Sequence, residues 1–436
     1  MLKRELGLLD VFMITTGSMI AAGLFVMPGI AFMRAGPAVI IAYGLAAVIA
    51  LPTLLSAAEL STAMPKAGGI YFFVSRGLGY TAGSIAGFAR WFAITFKCSY
   101  ALLGIGLYSY AFTGVNPKLT AALACIIFVI INLLGIRFVG FAQILFTSLL
   151  IGLIGVFIFG SIPSVSMDHF TPFFSAGLNP VLTTAGFIFI SYGGMLVITG
   201  LAEEVKRPRR NIPLGMILGL LTTGLIYMAV VFVAVGVMDA AALSQTLTPV
   251  ADIAGITLGQ VGFMVASLAA FLAFITTANA GIAAASRYPL AMSRDGLIPK
   301  IMGNSLFNND LPSVSILCTG LLMLLAIVFL PLETLVEMGS SLLIIGYLLT
   351  NMSQLWLHKK GEANYRPTFL APFYPWQQYI GIAGLLLLLV QIGLKPLLWS
   401  LVFSALAILW PLIRAKHLKD NSIPLPPEPK NRLHKL

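Results

Sequence analysis

The sequence predicts an all-α integral membrane protein of twelve transmembrane helices. Its first and sixth spans are broken, and its first ten helices form two inverted five-helix repeats. Three observations predict this: a composition that cannot cover a soluble surface, a series of apolar runs of membrane-crossing length, and glycine-rich interruptions at matching positions of two spans. Hydrophobic residues make up 59 % of the chain and charged residues 9 %, with a mean hydropathy of +0.97. A soluble domain carries roughly 25 % charged residues.

Crossing a hydrocarbon core of roughly 30 Å takes about 20 apolar residues. Such runs fall near 10–33, 37–62, 80–112, 117–136, 138–161, 179–202, 213–237, 260–291, 313–331, 333–357, 376–394 and 396–414. Residues 1–161 hold helices 1–5, residues 162–358 hold helices 6–10, and residues 359–414 hold helices 11 and 12. The tail, 415–436, is Pro-rich and charged with little to bury, and is expected to be disordered in the cytoplasm. The N-terminus mimics a signal peptide with its Lys3-Arg4 flank. Glu5, Asp10 and an apolar run continuing past Gly23 make it an uncleaved first helix instead.

Charge gives the orientation. With both termini cytoplasmic, only Arg34, Lys118 and Lys395 of the 26 basic residues fall on the outer side, and Lys97 falls within a span. All the others, Arg90 included, then belong to the cytoplasmic side, the pattern of a plasma (inner) membrane protein. The net charge of +11 therefore reads as topology plus attraction to anionic lipid heads. It does not indicate nucleic acid, because the basic residues are scattered over many short loops. Cys98, Cys125 and Cys318 lie inside spans as small hydrophobes, with no disulfide or metal spacing.

The stretch Ser191-Tyr192-Gly193-Gly194 interrupts the sixth span, and Gly17-Ser18-Met19-Ile20-Ala21-Ala22-Gly23 interrupts the first. Five helices separate them, and odd-numbered repeats are inverted, so the two breaks meet at a midplane site. Unwound backbone survives in a bilayer only where protein, water or ligand pairs its polar groups. Unwinding at 17–23 exposes N–H groups that suit a carboxylate. Unwinding at 190–194 frees carbonyls that suit an ammonium group or a bare cation. The competing reading is close helix packing through small residues, which is the expectation for Gly215 and Gly219. The sixth span then runs into Glu203-Glu204-Val205-Lys206-Arg207-Pro208-Arg209-Arg210, which anchors its cytoplasmic end. Glu203 and Glu204 are candidates for an inner gate, with Arg294 and Asp295 expected to pair with that cluster in the outward-open state. Glu59, near the cytoplasmic end of helix 2, is expected to tie that end to a basic loop.

Four segments, GSMIAAGLF (17–25), ELSTAMPKAGGIYFFV (59–74), AEEVKRPRRNIP (202–213) and SRYPLAMSRDGLIP (286–299), resemble the amino acid–polyamine–organocation superfamily of permeases. The resemblance covers the chain except the last two helices and tail. It implies a five-plus-five inverted-repeat transporter fold with alternating access for amino acids or related amines. Carried over, the carboxylate site corresponds to the backbone of Ala22 and Gly23, and the amino-group site to the carbonyls of Met19, Ile190 and Gly193. Ala21 replaces the family's usual glycine, and Ile190 replaces a gating aromatic, leaving neighbouring Tyr192 for that role. Leu196 stands where members specific for cationic substrates place an acid, so small neutral amino acids are expected.

Coupling has two candidates, since Leu150 occupies the position of a lysine used by some proton-coupled relatives. Thr276 and Thr277 resemble a sodium-holding hydroxyl pair, which the carbonyls of Gly17, Ile20 and Ala273 would complete; alternatively the hydroxyls bond the preceding turn. Lys97 is an ionisable group deep in a span and a candidate proton carrier. Its alternatives are a contact with the substrate carboxylate, a bias toward acidic side chains, or a snorkelling structural role. No enzyme motif or cofactor site is present, and His169, His358, His417 and His434 lie in loops, at span ends or in the tail. The expected activity is secondary transport of amino acids coupled to H⁺ or Na⁺, with an obligate exchanger or a non-transporting sensor as alternatives.

Overall fold

The computed structural model describes residues 5–20, 22–64, 69–134, 141–305, 312–360, 365–405 and 408. Ala21, Lys3, Arg4, Lys66, Arg137 and the tail 415–436 lie outside the described residues. Among the described residues every extended element is helical, and strand-like pairing is confined to one isolated bridge, Leu6 with Val205.

The first apolar run folds in three pieces, α1 (Leu8–Met19), α2 (Ala22–Phe25) and α3 (Met27–Ala35), and α4 (Val39–Ala63) follows. A short α5 (Gly69–Leu78) leads into α6 (Tyr80–Thr113). At 34 residues α6 is roughly 50 Å long, well beyond the thickness of a hydrocarbon core. Next come α7 (Pro117–Leu133), α8 (Phe141–Ser161) and α9 (Leu178–Phe187). From Ile188 the sixth span continues as 3-10 helix, over Ile188–Gly194 and Val197–Glu204. Then follow α10 (Pro208–Val237), α11 (Ala240–Gln245), α12 (Pro249–Ala285), α13 (Arg287–Arg294), α14 (Ser313–Phe329), α15 (Leu332–Lys360) and α16 (Trp376–Gln391).

Among the described residues, seven helical stretches are long and apolar enough to cross a membrane. An eighth is added if Trp376–Gln391 and Leu394–Ala405, bent by 114°, form one span. Three more, α1, α7 and α14, are apolar but shorter. The chain is therefore a multi-pass membrane protein. Part of the difference from the expected twelve is physical, because a broken span leaves pieces too short to cross alone. Its outer surface agrees: Phe159, Val261 and Phe329 are 78 %, 72 % and 73 % exposed, while Thr15, Ser56, Thr95 and Ser340 are fully buried. Apolar groups outside and polar groups inside suit a lipid solvent.

Two packings position the site. In the first, α1 lies flush on α10. A Cβ at Gly215 would come within 2.5 Å of Val11, and one at Gly219 within 2.9 Å of Thr15, so the absent side chains are what allow the approach. In the second, α6 runs through the middle of the bundle and packs against α5, α7, α12 and α15. It thereby presents one face to the broken helices.

Candidate functional site

The two breaks lie against each other. A Cβ on Gly194 would sit 2.1 Å from the carbonyl oxygen of Ser18, and one on Gly23 would sit 2.2 Å from Ser191 Oγ. All the described interruption residues from Thr16 to Ile20, and Ile190 through Gly194, are buried, except half-buried Ser18. The pairing of the two glycine-rich segments expected from sequence is thus a direct backbone contact.

Helix 1 breaks where Ile20 leaves α1 in an extended conformation (φ −68°, ψ 101°). Its loosened carbonyls are met by side chains from distant helices. Lys97 Nζ donates to Ser18 O at 2.7 Å, and the Tyr227 hydroxyl to Met19 O at 2.8 Å. Tyr43 donates to Gly23 O at 3.1 Å, and Tyr108 to Phe25 O at 2.9 Å. Helix 6 does not unwind in the same way. Its 3-10 turns keep Met195 N on Tyr192 O and Thr199 N on Leu196 O. Ser340 Oγ accepts from Ile190 N at 3.0 Å and donates to Phe187 O at 2.7 Å. The Arg90 guanidinium donates to Gly193 O at 2.8 Å.

These contacts revise the expected amino-group site. Of its three carbonyls, Met19 O is taken by Tyr227 and Gly193 O by Arg90. Broken backbone in a dry interior needs partners, and this chain supplies its own. Tyr192 is likewise committed: its hydroxyl donates to Tyr43 O at 2.9 Å and its ring packs edge-on against Tyr227. It faces helices α4 and α10. Ile190 points at α15, where a Cβ on Gly339 would touch it. Ser191 Oγ is buried with no hydrogen-bond partner.

Arg90 is the residue that sequence reasoning missed. Counted with the cytoplasmic charges, it is in fact 3 % exposed inside α6, so Lys97 is not the sole basic residue deep in a span. Lys97 itself is partly buried. The available signal was spacing: Arg90 and Lys97 are seven apart, which puts them on one helix face.

Among the coupling candidates, Thr276 donates back to Leu272 O at 2.8 Å and Ala273 O at 3.1 Å. Its hydroxyl is therefore spent within α12, and it engages a carbonyl expected to hold sodium. Thr277 Oγ1 is buried without a partner. The structure gives Gly17 as buried in α1 and Ile20 as the residue whose N–H returns to Thr16 O. No cluster of metal-ligating side chains occurs among the described residues.

Both ends of the broken helices are fastened. At one end Arg34 of α3 bridges to Glu333 and Glu337 of α15, at 2.9 Å each, and its guanidinium lies 3.8 Å over the Phe187 ring. At the opposite end the N–H groups of Glu5 and Leu6 donate to Glu204 O, and Lys206 N–H donates to Leu6 O. Glu204, the last residue of the 3-10 run that also holds Glu203, thus contributes backbone to this pairing. Asp295 and Arg294 are exposed, and Asp295 accepts from the Tyr71 hydroxyl of α5 rather than from the 206–210 cluster. Burial, then Asp295, raise the Tyr71 phenol well above its ordinary range, so it stays a donor at physiological pH. Glu59 is fully buried and accepts from Gln354, His358, Tyr365 and the Ala371 N–H, in place of the basic loop expected.

Residues 6–413 match the family model described as amino acid permease. A branched-chain amino acid permease of Bacillus subtilis is 26 % identical, over 96 % of this chain and 95 % of its own. A methylthioribose transporter of the same organism is 27 % identical, over 86 % and 85 %. An aromatic amino acid transport protein of Corynebacterium glutamicum is 28 % identical, over 86 % of each chain.

Proposed function

We propose, from the premise that this chain belongs to the amino acid permease family, that it carries α-amino acids across the membrane by alternating access. The observation that carries the reading is the face-to-face contact of the two broken helices, Gly194 on Ser18 and Gly23 on Ser191. The substrate carboxylate would take the N–H groups at Ala22 and Gly23. Its ammonium would take the carbonyls of Met19 and Gly193, displacing Tyr227 and Arg90 from them. On this reading the chain has twelve spans, with helices 1–5 and 6–10 as inverted repeats, both termini cytoplasmic, and residence in the plasma (inner) membrane.

Cationic substrates are disfavoured, since Leu196 supplies no acid and the basic side chains of Arg90 and Lys97 already stand beside the break. Two of the three relatives above are named for branched-chain or aromatic amino acids, which supports zwitterionic substrates. Proton coupling through Lys97 is favoured over sodium. Lys97 Nζ holds the Ser18 carbonyl at the break, so losing its proton would loosen helix 1 directly. Thr276 instead spends its hydroxyl on its own helix.

The test is uptake of labelled amino acids into proteoliposomes under separate proton and sodium gradients. Proton-driven uptake lost in Lys97→Met is expected. Sodium-driven uptake lost in Thr277→Val would transfer coupling to α12. Exchange with preloaded vesicles, without net uptake under either gradient, would make the protein an obligate exchanger.

A further inference from the structure

Arg90 and Lys97 stand two turns apart on one face of α6, donating to Gly193 O and Ser18 O, one carbonyl from each broken helix. These partners are backbone carbonyls, and no carboxylate is among them. The one fully buried acid, Glu59, is already engaged by Gln354, His358, Tyr365 and the Ala371 N–H. A buried charge without a counter-charge is strongly unfavourable. Lys97 can escape by losing its proton, but a guanidinium stays charged.

A second observation points to a ligand. Arg90 is 3 % exposed, yet its Nε has no hydrogen-bond partner. Beside it lie the hydroxyls of Tyr347, which is fully buried, and Tyr288, both interacting with the guanidinium. Tyr347 packs edge-on against Phe189, at the start of the helix 6 break. One fixed positive charge with an unused N–H, and the Tyr347 hydroxyl beside it, therefore stand next to the proposed amino acid site.

We propose that Arg90 determines specificity at this site, receiving a second carboxylate on the substrate's side chain together with Tyr347, so that the preferred substrates are acidic amino acids. This deepens the amino acid transport reading and rests on it. It departs from the expectation of small neutral substrates, which took account of the absent acid at Leu196 but not of the buried guanidinium.

The experiment is competition in purified, reconstituted protein, comparing glutamate with glutamine and aspartate with asparagine, each pair differing only in side-chain charge. The acid is expected to compete about tenfold or more better than its amide, the order of one charge-assisted hydrogen bond. Arg90→Gln should erase that ratio and Arg90→Lys should retain part of it. Should Arg90→Gln fail to fold, thermal stabilisation of the wild-type protein by each acid and amide supplies the same ratio. Equal or better competition by the amides overturns the proposal while leaving amino acid transport standing. Uptake of neutral amino acids that requires chloride, tested by gluconate replacement, also overturns it, because the counter-charge is then inorganic. If no amino acid of any charge binds or is carried, the transport reading fails too.

Discussion

The two broken helices meet at one point but are built differently. Helix 1 interrupts its hydrogen-bond ladder abruptly at Ile20, and its loose carbonyls are satisfied by Lys97, Tyr227, Tyr43 and Tyr108 from other helices. Helix 6 tightens into 3-10 turns and satisfies much of its backbone locally, adding only Arg90 and Ser340 at the contact. A break held by outside donors reports the position of every helix that supplies one. A break held by its own turns is more nearly autonomous. Helix 1 is thus the coupled element and helix 6 the self-contained one.

The largest test of that difference uses the two close approaches. Gly194→Ala places a methyl on the Ser18 backbone, which cannot rotate away, and should abolish uptake. Gly23→Ala meets side chains rather than backbone, chiefly Ser191 at 2.2 Å and the Tyr227 hydroxyl at 3.2 Å. It should also lose uptake, but recover most of it in combination with Ser191→Gly. Failure of that rescue, measured as uptake normalised to folded protein by gel filtration, would mean that the helix 1 contact is as rigid as the helix 6 one.

A smaller difference is expected from donors. Tyr227→Phe strips Met19 O of its hydroxyl partner and should cost about 1–3 kcal/mol, the range for a buried group left unsatisfied. Thr199→Val removes a hydroxyl from Leu196 O, which still accepts the Thr199 N–H, and should cost less than about 1 kcal/mol. Thermal melts of the two variants in detergent compare them. Equal losses would erase the distinction between the helices.

At the far ends the effects shrink further. Asp295→Asn weakens the contact from Tyr71 and should slow transport without changing which amino acids compete, so a changed competition profile would count against an inner-gate role. Arg34→Gln removes the pairs to Glu333 and Glu337, partly exposed groups worth about 0–1 kcal/mol. It should shift initial uptake rates only modestly, and less than Asp295→Asn does.

The breaks were legible because a run of glycines inside an apolar span is costly in lipid unless something pairs the loosened backbone. The packing of Gly215 and Gly219 on α1 follows from the small-residue logic of close helix approach. The donors were not legible. Tyr43, Tyr108 and Tyr227 sit in ordinary-looking spans, and no spacing rule says which carbonyl of a distant helix each will reach. Arg90 was hidden by the rule that made the topology readable: a basic residue near a span's cytoplasmic end is credited to the loop. The unusual length of α6 carries it inside instead. The form of helix 6 was also out of reach, since glycine announces a departure from α-helix without specifying 3-10 turns over open backbone.

The short parallel pairing of Glu5 and Leu6 with the Glu204–Lys206 segment uses main-chain atoms alone. Side-chain identity is therefore almost irrelevant to it, whereas chain length is not. Between Leu6 and the start of α1 lies a single residue, Gly7, whose N–H is capped by Asp10 at 2.7 Å. Inserting or deleting one residue there would slide the clasp out of step with the helix behind it. The hydrogen bonds of this clasp do not depend on which side chains its residues carry, but the segment cannot be lengthened or shortened.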